Sequence, residues 1–311
     1  MIIYIKPLSL FPKLHSDTIF GAITYSYSIL YPENIDKYIE DFNNNPPFLL
    51  SSAFPYANIN NKKIRFYPKI ITENKTQVDN IENLKKFKKI NYLEEKIFLK
   101  FINGEITTKE IIENYDNYYH INDLLMTNNP TTQIKYSNNI IPNNTINRLD
   151  NTSEGIFYSE GTEFKNMGLF FELEFKNPKY KKQVLNCIKF LKDRGFGKDI
   201  STGKGQFTYE TSEEKLNITY INTKYFITLS RYIPTKDELN EIKNNSKYEI
   251  VSKQGRSKNG EIRKKIRFFK EGSIFKNNKE KYGQIIDSGK QNPSLEYGYA
   301  YKIPYFGGEN I

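Results

Sequence analysis

The chain has no tryptophan, a single cysteine at position 187, and two histidines, His15 and His120. One cysteine excludes an internal disulfide and any cysteine-based zinc site. Cys187 falls among apolar residues at helical spacing and reads as a buried core thiol. No stretch approaches the roughly 20 apolar residues of a membrane-spanning helix. The N-terminus alternates like a strand and has no basic segment followed by an apolar run, so no secretory signal is expected. A chain that partners no membrane and lies in the cytoplasm is the resulting expectation.

What the chain has in excess is positive charge and aromatic rings. Its 46 Lys and Arg outnumber its 36 Asp and Glu, giving a net charge of +10, and it carries 24 Tyr and 22 Phe. A basic balance favours a polyanionic partner, nucleic acid first. Some of the rings are then available to stack on bases. The 311 residues suggest about two domains on the usual ~150 per domain.

One stretch concentrates chemistry. Residues 194–207 hold Arg194, Gly195, Gly197, Lys198, Ser201, Thr202, Gly203, Lys204 and Gly205. Glycine permits positive φ and close approach of a ligand. Lysines, hydroxyls and bare N–H groups are suited to phosphate oxygens. The spacing rules out a P-loop, because five residues separate Gly197 from Gly203 and Lys204 precedes Gly205. It also rules out a dinucleotide fingerprint, since Ile200 stands where a third glycine is needed. Upstream, Asn177-Pro178 caps a helix carrying Val184, Cys187, Ile188 and Leu191. Downstream, Phe207 and Tyr209 alternate as in a strand. The order is helix, glycine loop, strand, and the loop reads as a phosphate contact.

Along the chain, residues 1–6 read as a strand, and Ser16 reads as the N-cap of a helix with a stripe at Ile19, Phe20, Ile23, Tyr27 and Leu30. Asp17 suits the positive end of that helix. His15 stands at the helix entry. Its ordinary pKa near ~6.5 makes it either a general acid–base or a polar residue touching RNA. Residues 81–100 read as one basic helix, and 128–151 as an Asn-rich extended loop. Arg148 precedes a hairpin with strands near 155–159 and 169–175. Together with 178–210 this is the β-α, β-β, α-β order of a ferredoxin-like fold.

After residue 212 the pattern restarts: a strand at 220–229, a short helix at 235–243, and a hairpin turning at Asn259-Gly260. Between 253 and 281 stand eleven Lys and Arg against three Glu. Lys253, Arg256, Arg263, Lys265, Arg267 and Lys270 are therefore candidate RNA or partner contacts, against the plainer reading of an edge strand guarded by lysines. The fold class is α+β with two ferredoxin-like domains, 1–212 with an insertion at about 50–165, and 213–311.

Six segments occur in a telling order: Leu14-His15-Ser16-Asp17-Thr18-Ile19-Phe20-Gly21, Ser51-Ser52-Ala53-Phe54-Pro55, Arg148 with Glu154-Gly155, the glycine loop, Lys270-Glu271-Gly272-Ser273, and the closing strand at Glu296 to Pro304. Together they resemble the RAMP-superfamily subunit that binds the guide-RNA 5′ tag in type III-A CRISPR (Csm) effector complexes. The resemblance implies no catalytic centre, no cofactor and no metal. It implies three partners: the guide RNA, a large polymerase-like subunit and a RAMP backbone subunit. It further implies that the glycine loop contacts tag phosphates, that His15 and Ser16 lie near it, and that Arg148 sits on a protruding hairpin touching the RNA. The alternative is a metal-independent endoribonuclease of the same superfamily that uses His15 to cut guide precursors.

Overall fold

The computed structural model describes residues 1–72, 79–197, 200, 203–218, 222–242, 246–256, 260–290 and 293–307. The first strand, β1 (Ile2–Pro7), ends where proline removes a ladder donor. A connector leads to α1 (Ser16–Leu30), which buries Ile19, Phe20, Ile23 and Tyr27 along one side. There follow α2 (Ile35–Asn44), β2 (Phe48–Leu50), β3 (Phe54–Ile59) and β4 (Lys62–Pro68). Asn60 and Asn61 both take positive φ between β3 and β4, as a tight hairpin turn requires.

Next come α3 (Ile81–Lys88), β5 (Tyr92–Glu94), α4 (Glu95–Ile102) and α5 (Thr108–Glu113), the last opened by a Thr107–Glu110 capping box. Two short strands, β6 (Tyr119–Ile121) and β7 (Leu124–Met126), precede a long ribbon of β8 (Lys135–Ile146) and β9 (Ser153–Lys165). Then follow β10 (Met167–Phe175), α6 (Lys179–Arg194) and β11 (Phe207–Ser212).

The main sheet runs β11-β1-β10-β3-β4-β5-β7-β6, with β2 also on β10. Its first four strands, with α1 and α6 packed against each other, reproduce the ferredoxin-like order in which the last strand lies beside the first. The remainder comprises β12 (Tyr225–Thr228), α7 (Lys236–Ile242), β13 (Ile250–Lys253), β14 (Ile266–Phe269), β15 (Ile274–Lys276), β16 (Ile285–Asp287), β17 (Leu295–Tyr297) and β18 (Lys302–Tyr305). Here β12 lies between β15 and β18, while β13–β14 and β16–β17 form separate ribbons.

Three sequence expectations change. Residues 81–100 are two helices divided by β5, which pairs in parallel with β7. The Asn-rich stretch is largely strand, because β8 pairs with β9 from Lys135 to Ile146. The strand at 155–159 therefore pairs with β8, whereas β10 pairs with β1, β2 and β3. The turn at Asn259 lies outside the described residues, but β13 and β14 pair antiparallel on either side of it.

The C-terminal elements are stitched to the first sheet by tyrosines and backbone. Glu172 of β10, fully buried, accepts hydrogen bonds from the Tyr67 and Tyr301 hydroxyls, each at 3.0 Å. The Tyr299 hydroxyl donates to the Phe42 carbonyl at 2.5 Å, and Leu50 N–H donates to the Tyr297 hydroxyl at 3.1 Å. Gly272, at φ 87°, donates its N–H to Thr228 and accepts from Ile71 N–H at 2.9 Å. A Cβ there would collide with the Lys69 carbonyl oxygen. Gly272→Ala should therefore cost about 1–3 kcal/mol from backbone strain alone, read as a lower urea midpoint with an unchanged slope.

Candidate nucleic-acid interface

The glycine loop begins where α6 ends, and Gly195, Gly197, Gly203 and Gly205 all have positive φ, between 72° and 102°. Two points fix it. Phe196 N–H donates to the Gly205 carbonyl, and Gly205 N–H donates to the Leu10 carbonyl, both at 2.9 Å. A Cβ on Gly205 would fall on the Phe196 carbonyl oxygen, so only glycine closes the loop there. Phe196 is buried in edge contacts with Phe11 and a tilted one with Phe207, anchoring the loop from below.

The connector between β1 and α1 is held on both sides. Leu8 N–H donates to the Gln206 carbonyl at 2.8 Å, while Phe11 exchanges two backbone hydrogen bonds with Thr162 of β9. The glycine loop and the long ribbon are thereby brought to opposite edges of one short segment. Lys204 joins them directly, donating to the Ser159 hydroxyl of β9, which also receives Asn143. Arg148 lies exposed in the turn of the ribbon, where Asn147 N–H bonds the Thr152 carbonyl. Around it the ribbon exposes Ile146, Leu149, Ile156, Phe157 and Tyr158. Arg194 is exposed with its guanidinium 4.8 Å from the Tyr25 ring centroid. Lys198, Ser201 and Thr202 lie outside the described residues.

Between the ribbon base and the connector runs a cleft of about 570 Å³, lined in part by Lys13, His15, Lys89, Tyr92, Tyr136 and Phe164. Sequence reasoning missed this cleft, because Lys89, Tyr92 and Tyr136 come from segments read as one helix and a loop. Its cations and rings can serve phosphates and bases together.

Other predicted contacts turn inward. His15, not Ser16, is the N-cap of α1, its carbonyl accepting Thr18 and Ile19 N–H at 2.9 Å. Ser16 is fully buried and its hydroxyl accepts Arg231 N–H at 2.9 Å, so no face of it is open to RNA. His15 Nδ1 lies 2.9 Å from Glu271 Oε1, and the Ser52 hydroxyl donates to the same oxygen at 2.5 Å. Ser52 also accepts Ser16 N–H at 2.9 Å and donates its own N–H to Leu229. The segments at 14–17, 51–53 and 270–273 therefore meet in one seam.

Charges complete that seam. Asp17, with no exposed side-chain surface, pairs with Arg231 at 3.4 Å and with Lys253. Glu296 pairs with Lys253 at 3.3 Å and with Arg263 at 3.2 Å. Lys253 and Arg263, named in the sequence as candidate RNA or partner contacts, are thus each paired with buried carboxylates. Arg256 donates to the Gly260 carbonyl at 3.2 Å, and Lys270 pairs with Glu249 at 2.7 Å. Lys265 and Arg267 are exposed, and among the described residues neither has an ion pair.

The class defined by this arrangement is a ferredoxin-like α+β protein, with a glycine loop and a protruding ribbon on the same connector. Comparison with known proteins narrows it. Residues 221–305 match the family described as the CRISPR Csm4 C-terminal domain. A curated relative, "CRISPR system Cms protein Csm4" of Thermococcus onnurineus (strain NA1), is 24% identical over 301 residues, covering 94% of this chain and 88% of the relative. A chain of the crystal structure of the Csm3–Csm4 subcomplex of the type III-A CRISPR-Cas interference complex superposes with a TM-score of 0.69 at 20% identity, covering 98% of this chain and 99% of that one. A chain of the Csm1–Csm4 cassette in complex with pppApA gives 0.60 at 18% identity, over 98% and 96%. The structural matches establish a common fold, and the sequence comparisons make this chain similar to Csm4 along nearly its whole length. Among the described residues, no helix is long and apolar enough to cross a membrane.

The seam makes an acid-stability prediction. Burial alone would push the Glu271 carboxyl up, but His15, the Ser52 hydroxyl and Arg231 outweigh it and hold it at about 2, against an ordinary 4.5. Its contribution is complete above about 4.5 and is lost as pH falls toward about 2. Glu271→Gln should lower stability at pH 7 by about 1–3 kcal/mol and flatten the acid limb of a stability-versus-pH curve.

Proposed function

We propose that this chain is the non-catalytic subunit of a type III-A CRISPR RNA-guided interference complex. It binds the repeat-derived 5′ tag of the guide RNA and links the large polymerase-like subunit to the RAMP backbone subunits, in cytoplasmic defence against invading nucleic acid. The observation that carries this reading is similarity to Csm4 over nearly the whole chain, including solved assemblies with Csm3 and with Csm1. In this reading the chain divides near residue 212, and the glycine loop, the cleft beside the ribbon and Arg148 follow the RNA.

The chemistry supports the assignment. Glycine N–H groups and lysines at 194–205 suit phosphates, which fix register and supply salt-dependent affinity. Rings and polar edges in the cleft suit the splayed bases of a single-stranded tag. His15 serves here as a positioning residue of the seam through Glu271.

Incubating end-labelled repeat-tagged RNA with the protein in EDTA tests the proposal, on native and denaturing gels in parallel. A retarded but intact RNA is expected, with binding weakened by salt. Lys204→Ala should weaken binding to all sequences alike and reduce the salt slope by about 1. Specific cleavage that disappears in His15→Ala would replace this function with guide processing.

A further inference from the structure

A second cavity, of about 760 Å³, adjoins the cleft and shares His15, Ala53, Asn91 and Tyr92 with it. Its size is within the range of small-molecule sites. It lies where the 68–72 segment and α3 meet residues 246–249 and 270–271. Phe54, Tyr92 and Tyr248 give it an aromatic wall, and Lys69, Lys88 and Lys270 give it cations.

Lys69 is the unusual member. Its ammonium donates to the Phe87 carbonyl at 3.1 Å and to the Lys88 carbonyl at 3.4 Å, and lies 4.9 Å from the Phe87 ring centroid. An ammonium has three donors, so two carbonyls leave one to spare. Among the described residues no carboxylate pairs with it. Burial, followed by the charge of Lys270 and opposed by Glu249, lowers Lys69 to about 8. A half-buried cation beside another cation gains from an incoming anion. The aromatic wall and the spare cation call for different halves of one ligand.

We propose that this cavity receives one nucleotide unit, its phosphate on the Lys69 ammonium and its base against Phe54, Tyr92 and Tyr248. The same chemistry is presented by the terminal unit of an RNA and by a free nucleoside monophosphate. Continuity with the cleft favours the RNA end, which would pass His15 to enter; that source rests on the guide-binding function proposed above.

The test uses the full chain, with AMP and adenosine as probes and tyrosine fluorescence or calorimetry as the readout. AMP should bind saturably and adenosine about tenfold more weakly or worse. Lys69→Met should weaken AMP by about tenfold while melting like the wild type. Lys270→Ala, at a partly exposed position, should weaken AMP in the same direction and guards against a folding defect in the first variant. Lys204→Ala should leave AMP binding unchanged; in the wild-type chain, AMP binding without tagged-RNA binding would remove the guide-binding function and keep this site. Competition of tagged RNA against AMP assigns the RNA end, and failure to compete assigns the free nucleotide. Equal affinity for AMP and adenosine, no saturation, AMP binding indifferent to both Lys69→Met and Lys270→Ala, or AMP binding lost in Lys204→Ala would overturn the proposal.

Discussion

The structure depends on three carboxylates that water does not reach. Asp17, Glu271 and Glu296 are each nine-tenths buried or more, and a buried charge is tolerable only when paired and hydrogen-bonded. Arg231, Lys253, Arg263, His15 and Ser52 supply the partners. Because Asp17 lies in the first turn of α1 while most of its partners lie beyond residue 230, the pairing fixes where that helix starts relative to the C-terminal elements. The start of α1 then fixes the end of the connector, whose other contacts hold the glycine loop and the long ribbon. The connector, and with it the glycine loop and the ribbon, is therefore placed by these buried ion pairs.

This division of labour changes how the ordered sequence segments are understood. His15-Ser16-Asp17, Ser51-Ser52-Ala53 and Lys270-Glu271-Gly272-Ser273 are far apart in sequence and meet in the seam. Their residue types answer to burial, hydrogen bonding and close backbone approach, as at Gly272. The glycine loop and Arg148 answer to the surface instead.

Much of the fold was legible because its signals are local. Alternation in β1, the apolar stripe of α1, the Asn177-Pro178 start of α6 and the glycines after it all lie within a few residues of what they specify. The loop's positive φ values follow from the same glycines. Strand β8 was not legible, since most of it is exposed and it carries asparagine where a half-buried strand would alternate. Nor was β5, three residues long, whose place depends on a parallel partner thirty residues on. Lys253 and Arg263 looked like surface cations because their carboxylate partners are non-local, and a count of charge cannot distinguish a solvated lysine from one holding a buried aspartate.

The central claim is that the glycine loop and the ribbon turn meet one strand of guide RNA. It is tested most directly by photocrosslinking 4-thiouridine, placed singly through the tag of a guide RNA in the reconstituted complex, and mapping the crosslinked peptides. The account predicts crosslinks in peptides spanning 194–207 and 146–152, from tag positions only a few nucleotides apart. Crosslinks confined to other surfaces of this chain, or to other subunits alone, would contradict it.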